Sequence, residues 1–168
     1  MIGADSSALE EIASYMILRA KRLIENHYLE ERHQIGAVVL DLNGSYHDGI
    51  HLEAMIGRAS SCAEASALAN AVMAGARGLS MAVAVRHPKP SEAGQIPKIV
   101  SPCGLCRELL LDYAPDVLVV LQANEGFQIV RLADILPHKY VGTKWNHEAG
   151  TAGSRQSDAL SPRSASRS

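Results

Sequence analysis

The sequence predicts an α/β protein, a three-layer α/β/α sandwich around a mixed five-stranded sheet. Three observations lead there. Segments of helical period alternate with short apolar or alternating runs in the order α-β-β-α-β-α-β-β-α, so helices should cover both faces of one sheet. Turn signals between adjacent strands at two places make that sheet mixed rather than all parallel. From Ala149 the chain has almost nothing to bury, which leaves one domain over residues 1–148 and a disordered tail over 149–168.

The elements follow in order. Ser7 and Glu10 form a capping box around Leu9, and Ile12, Met16, Ala20, Leu23 and Ile24 continue at helical spacing to about Asn26. QIGAVVLD (34–41) and SYHDGIHLE (45–53) read as strands joined by the hairpin dipeptide Asn43-Gly44. CAEASALANAVMAGARG (62–78) is alanine-rich and predicts a helix capped by Gly78. SMAVAVRH (80–87) reads as a buried strand, and three prolines with Gly94 make 88–97 a loop. CGLCRELLLDYAP (103–115) predicts a helix ended by Pro115. DVLVVLQ and FQIVRL then flank NEG as a second hairpin, and a short helix includes ADILP.

Bulk properties exclude several classes of function. At 168 residues, 47% hydrophobic and 20% charged, the chain can bury a sizeable core. MIGAD has no basic run before an apolar stretch, and no segment approaches the ~18 consecutive apolar residues of a membrane span. No membrane partner is expected. Three cysteines, an odd number, suit a reducing cytoplasm better than a disulfide scaffold. Acids outnumber bases in the body of the chain and aromatics are only 4%, so no polynucleotide is expected as substrate.

The chemistry concentrates in two short stretches. A C-x-x-C pair, Cys103 and Cys106, opens one helix, and Cys62 opens another with Glu64 two residues on. By itself the pair could be a redox dithiol, half of a structural zinc site or part of a catalytic one. Helix amino termini favour thiolates, so three of them could hold a metal and leave a fourth position for water. A closed Cys3His site, completed by His51 or His87, is the structural alternative. A buried, unpaired Glu64 would be costly in such a site, which favours the catalytic reading.

Cys-Ala-Glu (62–64) followed by Pro-Cys-Gly-Leu-Cys-Arg-Glu (102–108) resembles the zinc-dependent cytidine deaminase superfamily. HLEAMIGRASSCAEA (51–65), AVRHP (84–88), IVSPCGLCRELLLDYAPD (99–116) and ILPHKY (135–140) are similar to its blasticidin-S deaminase branch. The resemblance covers residues 34–140. It implies that Cys62, Cys103 and Cys106 bind one zinc and that Glu64 shuttles the proton while a cytosine ring becomes uracil and ammonia leaves. It also implies that the Ala63 amide and the Ser101 carbonyl hold the ring carbonyl and the exocyclic amine.

Departures from the superfamily pattern bear on the substrate. His51-Leu-Glu53 stands where nucleoside deaminases have Asn-x-Glu against the sugar, and His33 stands in place of a phenylalanine near the base. Both histidines match the blasticidin branch, whereas Met55 replaces a tyrosine of that branch. Ala65 replaces an arginine that offsets the thiolate charge in many relatives, a role left to Arg107 or Arg86 here. Tyr140 resembles the aromatic that closes the pocket, sometimes that of a neighbouring subunit, and a homotetramer is implied. The expected substrate is a free cytosine nucleoside or nucleoside antibiotic, blasticidin S first. The alternatives are cytidine, deoxycytidine or another modified cytosine, and a noncatalytic zinc-stabilised binding module.

Overall fold

The structure, a computed structural model, describes residues 6–142. The expected tail at 149–168 and the domain boundary at 148 lie outside them. The elements are α1 (Ser6–His27), β1 (Ile35–Asp41), β2 (Tyr46–Ile50), α2 (Ala63–Met73), β3 (Leu79–Arg86), β4 (Lys98–Val100), α3 (Gly104–Tyr113), β5 (Leu118–Gln122) and β6 (Phe127–Arg131). They form one α/β unit.

The sheet runs β2-β1-β3-β5-β6, antiparallel throughout except for the parallel pair β3–β5. It has six strands rather than five. β4, which the sequence showed only as the approach to the cysteine pair, adds to the far end of β3 with Ala84 opposite Val100. Three residues are too few to show a period.

Alternation divides the core into two layers. Val38, Leu40, Met81, Val83 and Val85 point to α1, whose Ala13, Met16, Ile17, Ala20 and Ile24 recur at three- and four-residue steps. Ala37, Val39, Ala82 and Ala84 point to α2 and α3 on the other face. Where α2 crosses it, that second face is built from small residues. Ala63, Ala67 and Ala71, four apart, form the buried stripe of α2, and Gly49 of β2 lies directly against it. A Cβ on Gly49 would stand 2.2 Å from the Ala67 nitrogen and 2.4 Å from the Ala63 oxygen.

The parallel pair fixes where the chemistry sits. α2 leads into β3 and α3 into β5 from the same face, so the two helices run the same way and their amino termini share one end of the sheet.

Two local expectations are corrected. α2 ends at Met73, not at Gly78: Gly75 takes φ +91°, its amide donates to Val72 O, and the Ala76 amide donates to Ala71 O. These are the paired bonds of a Schellman cap, which the earlier glycine captures. ADILP is a 3-10 turn over Leu132–Ile135 rather than an α-helix. The hairpin at Asn43-Gly44 is present, with Gly44 at φ +86° and both the Asn43 and Ser45 amides donating to Asp41 Oδ1.

Gly49→Ala should therefore destabilise by about 3 kcal/mol, because backbone atoms of α2 rather than a flexible side chain must move. Denaturant melts of the zinc-loaded protein will measure it. A loss below about 0.5 kcal/mol would mean that α2 does not lie this close to β2.

Candidate active site

Cys62 and Cys103 are the residues preceding the first turns of α2 and α3, and Cys106 lies within the first turn of α3. Their three sulfurs lie within 4.8 Å of one another, with Cys62 Sγ and Cys103 Sγ 3.7 Å apart. Two thiolates on a tetrahedral zinc, with Zn–S of about 2.3 Å, stand about 3.8 Å apart, so the spacing suits the metal. No histidine among the described residues joins the cluster. His51 Nε2 lies 3.6 Å from Glu53 Oε2, and His87 stacks on Tyr28 with its Nδ1 2.7 Å from Pro88 O. Three protein ligands leave a position for water or substrate.

The electrostatics also call for a cation. Burial pushes up the Cys106 thiol strongly and the Cys62 thiol as well. The Cys103 thiol lies below its ordinary value: burial opposes this, but the Cys106 amide and the neighbouring thiols outweigh it. Cys103 is exposed and Cys106 is 2% exposed. A full set of thiolates here requires positive charge beyond two helix amino termini, each worth about half an elementary charge.

Glu64, in the first turn of α2, is 6% exposed and has its carboxyl raised, chiefly by burial. Its own amide, Cys106 and His51 act in the opposite direction. Ala63, the first residue of α2, is 1% exposed, and the amides of a helix's first turn have no partner within the helix.

The structure places His33, His51 and Glu53 together where β2 leaves the sheet. His33 Nδ1 lies 3.0 Å from His51 O, and the Glu53 amide donates to Arg32 O. Glu53 Oε1 accepts from Ser60 Oγ at 2.5 Å and from the Ala54 amide at 3.2 Å, which holds its carboxyl low. The Leu52–Ser61 bridge closes the intervening loop directly before Cys62. Met55, in that loop, is almost fully exposed.

The two candidate arginines differ in their partners. Arg107 donates to Pro102 O at 2.8 Å, Ile135 O at 3.0 Å and Ser101 Oγ at 3.0 Å, tying the approach to the cysteine pair to the turn after β6. Arg86 instead makes a two-pronged pair with Glu92, which holds the Glu92 carboxyl down at about 2. Tyr140 is exposed, and its amide donates to Glu108 Oε1. Ser60 and Glu92 were missed by sequence reasoning. Each acts through a partner six or seven residues away in a loop, where no periodic signal exists.

Three thiols around an open position and a buried acid beside them define a zinc hydrolase centre. The relatives are of one kind. Residues 10–122 match the model of the cytidine and deoxycytidylate deaminase zinc-binding region. Blasticidin-S deaminase of Bacillus cereus is 40% identical over 113 residues, covering 67% of this chain and 81% of that protein. Cytidine deaminase of Halalkalibacterium halodurans is 30% identical over 118 residues, covering 68% and 83%. Among solved structures, the Bacillus anthracis cytidine deaminase aligns at TM-score 0.65 and 19% identity, covering 77% of this chain and 89% of that one. The Burkholderia pseudomallei cytidine deaminase aligns at TM-score 0.53 and 26% identity, covering 66% and 84%.

The chain belongs to the cytidine and deoxycytidylate deaminase family. It is a zinc-dependent deaminase, similar to blasticidin-S deaminase within that superfamily, and its Cys62–Cys103–Cys106 cluster fits one zinc per subunit. Among the described residues no helix is long and apolar enough to cross a membrane.

Cys106→Ser should cut bound zinc from about one ion per chain to below a tenth and lower the melting temperature, since the metal's binding energy is also folding energy. Elemental analysis after gel filtration, alongside a thermal melt, reads both. Full zinc content in this variant would place the metal elsewhere.

Proposed function

We propose that this protein hydrolyses the cytosine ring of a free nucleoside or nucleoside antibiotic to uracil and ammonia, with blasticidin S as its best substrate. One observation carries this reading, the 40% identity with the Bacillus cereus blasticidin-S deaminase over most of both chains. The paired His33 and His51 beside Glu53 support it.

Cys62, Cys103 and Cys106 would hold the zinc, which would supply Lewis-acid activation of water. Glu64 accepts one proton of the attacking water and delivers it to the ring nitrogen, then takes the second from the hydroxyl left on the ring carbon and delivers it to the departing amine, so that uracil and ammonia carry both. Its raised affinity for protons suits a group that must carry one at neutral pH. The Ala63 amide holds the ring carbonyl, and the Ser101 carbonyl accepts from the exocyclic amine, which selects an amino-pyrimidine over its product. Glu53 and His51 meet the sugar side, His33 stands near the base, and Tyr140 closes the pocket. Arg107 is the cation that offsets the thiolates: its partners are all neutral acceptors, whereas the charge of Arg86 is matched by Glu92.

The protein acts in the cytoplasm, where thiols stay reduced. Exposed Met55 and Leu105 suit burial between the subunits of a homotetramer. The second reading, cytidine or deoxycytidine as substrate, is favoured by Glu53, which keeps the sugar-side acceptor.

Ultraviolet absorbance of the zinc-loaded protein with blasticidin S, cytidine and deoxycytidine in parallel will decide among them. Turnover of blasticidin S at least tenfold faster than of either nucleoside is expected, and the reverse order would establish the salvage reading. Glu64→Gln should keep zinc and lose about 10³-fold or more in kcat. No turnover by the wild type on any of the three would point to another modified cytosine as the substrate.

Arg107→Ala should lower zinc retention during dialysis against a weak chelator, and Arg86→Ala should not. Equal retention in both variants would remove Arg107 from the role.

A further inference from the structure

Beyond the last 3-10 turn, the described chain changes the way it is held. Ile135 and Leu136 still pack against the core, but Tyr140 and Val141 are 77% and 73% exposed. Charge holds this stretch to α3. Lys139 Nζ donates to Asp112 Oδ1 at 2.6 Å and lies 3.5 Å from Glu108 Oε2. It also donates to Tyr140 O at 3.0 Å, while the Tyr140 amide donates to Glu108 Oε1 at 3.1 Å.

Glu108 and Asp112 are one turn apart on α3 and would repel each other without a cation between them. Lys139 has its affinity for protons raised, chiefly by Asp112, so it stays charged across the neutral range. Its side chain is only 23% exposed. An isolated surface pair does little, but here one ammonium bridges two carboxylates while a backbone bond runs back to one of them. The helix so gripped is the one whose amino-terminal end carries the cysteine pair, and Arg107 of that helix holds Ile135 O four residues upstream of Lys139.

We propose that Lys139 is a positioning residue: its bridge to Glu108 and Asp112 latches residues 138–140 to the metal-bearing helix and sets where the Tyr140 ring stands for substrate. The inference rests on the assignment of Tyr140 to the substrate pocket made above. Lys139 touches no reacting atom, so its loss affects substrate capture rather than the chemical step.

The test combines kinetics with proteolysis of the full-length, zinc-loaded protein. With whichever of blasticidin S and cytidine the wild type turns over, Lys139→Ala should raise KM about fivefold and leave kcat within twofold, and Lys139→Arg should restore KM. Tyr140→Ala should raise KM to the same extent, and the double variant should be no worse than either single one. Chymotrypsin should cut Tyr140–Val141 about fivefold faster in Lys139→Ala at low salt, and wild type should approach that rate at about 1 M salt, where the bridge is screened.

A raised KM in Tyr140→Ala with no change in Lys139→Ala overturns the latch alone, as does multiplication of the two effects. An unchanged KM in Tyr140→Ala overturns the pocket assignment and the latch's purpose with it. If Lys139→Ala does not fold, Asp112→Asn should give the same KM rise and faster cleavage, and a wild-type result there overturns the proposal. If neither compound is turned over, equal cleavage rates in wild type and Lys139→Ala do the same.

Discussion

Everything at the working end of this molecule depends on gathering three thiols and a carboxyl group in one place with little water. Each would be negative when it works, and each loses hydration there. Two helix amino termini aimed at the same spot provide the first compensation, and the metal provides the larger one. The topology follows from that requirement. Because β3 and β5 run parallel and each is entered by a helix from the same face, α2 and α3 must begin at the same end of the sheet. Cys62 and Cys103, 41 positions apart, thereby occupy equivalent places just before a first helical turn.

The same requirement explains the composition of the inner helix layer. A helix that must deliver a short side chain such as cysteine to a metal shared with its neighbour has to lie close to the sheet. Alanines at 63, 67 and 71 and glycine at 49 allow that approach. On the opposite face α1 comes close only where Ala20 and Ile24 lie over Gly36. There α1 packs Met16, Ile17 and Ile24 against valines and Met81 in an ordinary large-residue interface.

How much was legible in the sequence follows from the range of the interactions involved. The metal cluster was legible, since Cys-Ala-Glu and Pro-Cys-Gly-Leu-Cys are local patterns set by helix starts. The first hairpin was legible too, because Gly44 supplies the positive-φ residue that its loop requires, although the turn itself centres on Leu42 and Asn43. β4 was not: Lys98–Val100 is a strand only because β3 extends past its parallel partner and leaves an edge to be filled. The end of α2 was misplaced by three residues because Gly75 and Gly78 are both plausible caps, and only the backbone bonds separate them. The Arg86–Glu92 and Lys139–Asp112 pairs join residues whose charges, in one dimension, look like ordinary solvated surface.

Hydrogen-bond logic carries the substrate side one step further. A backbone carbonyl can only accept, so the 3.0 Å contact between His33 Nδ1 and His51 O requires the proton on Nδ1. In the neutral ring Nε2 is then an acceptor, a property that a phenylalanine at this position lacks. His51 is oriented from the other side, with Nε2 toward the Glu53 carboxylate, and that carboxylate is in turn held by Ser60. The proposed base-side and sugar-side contacts thus form a chain, His33 to the His51 backbone, His51 to Glu53 and Glu53 to Ser60, whose last two members stand in the loop that closes just before Cys62. No member of that chain is a metal ligand or the proposed proton carrier. The surface that would choose the substrate can therefore vary in sequence while the centre that would hydrolyse it stays fixed by its helices, and one deaminase centre can serve nucleosides with different sugars.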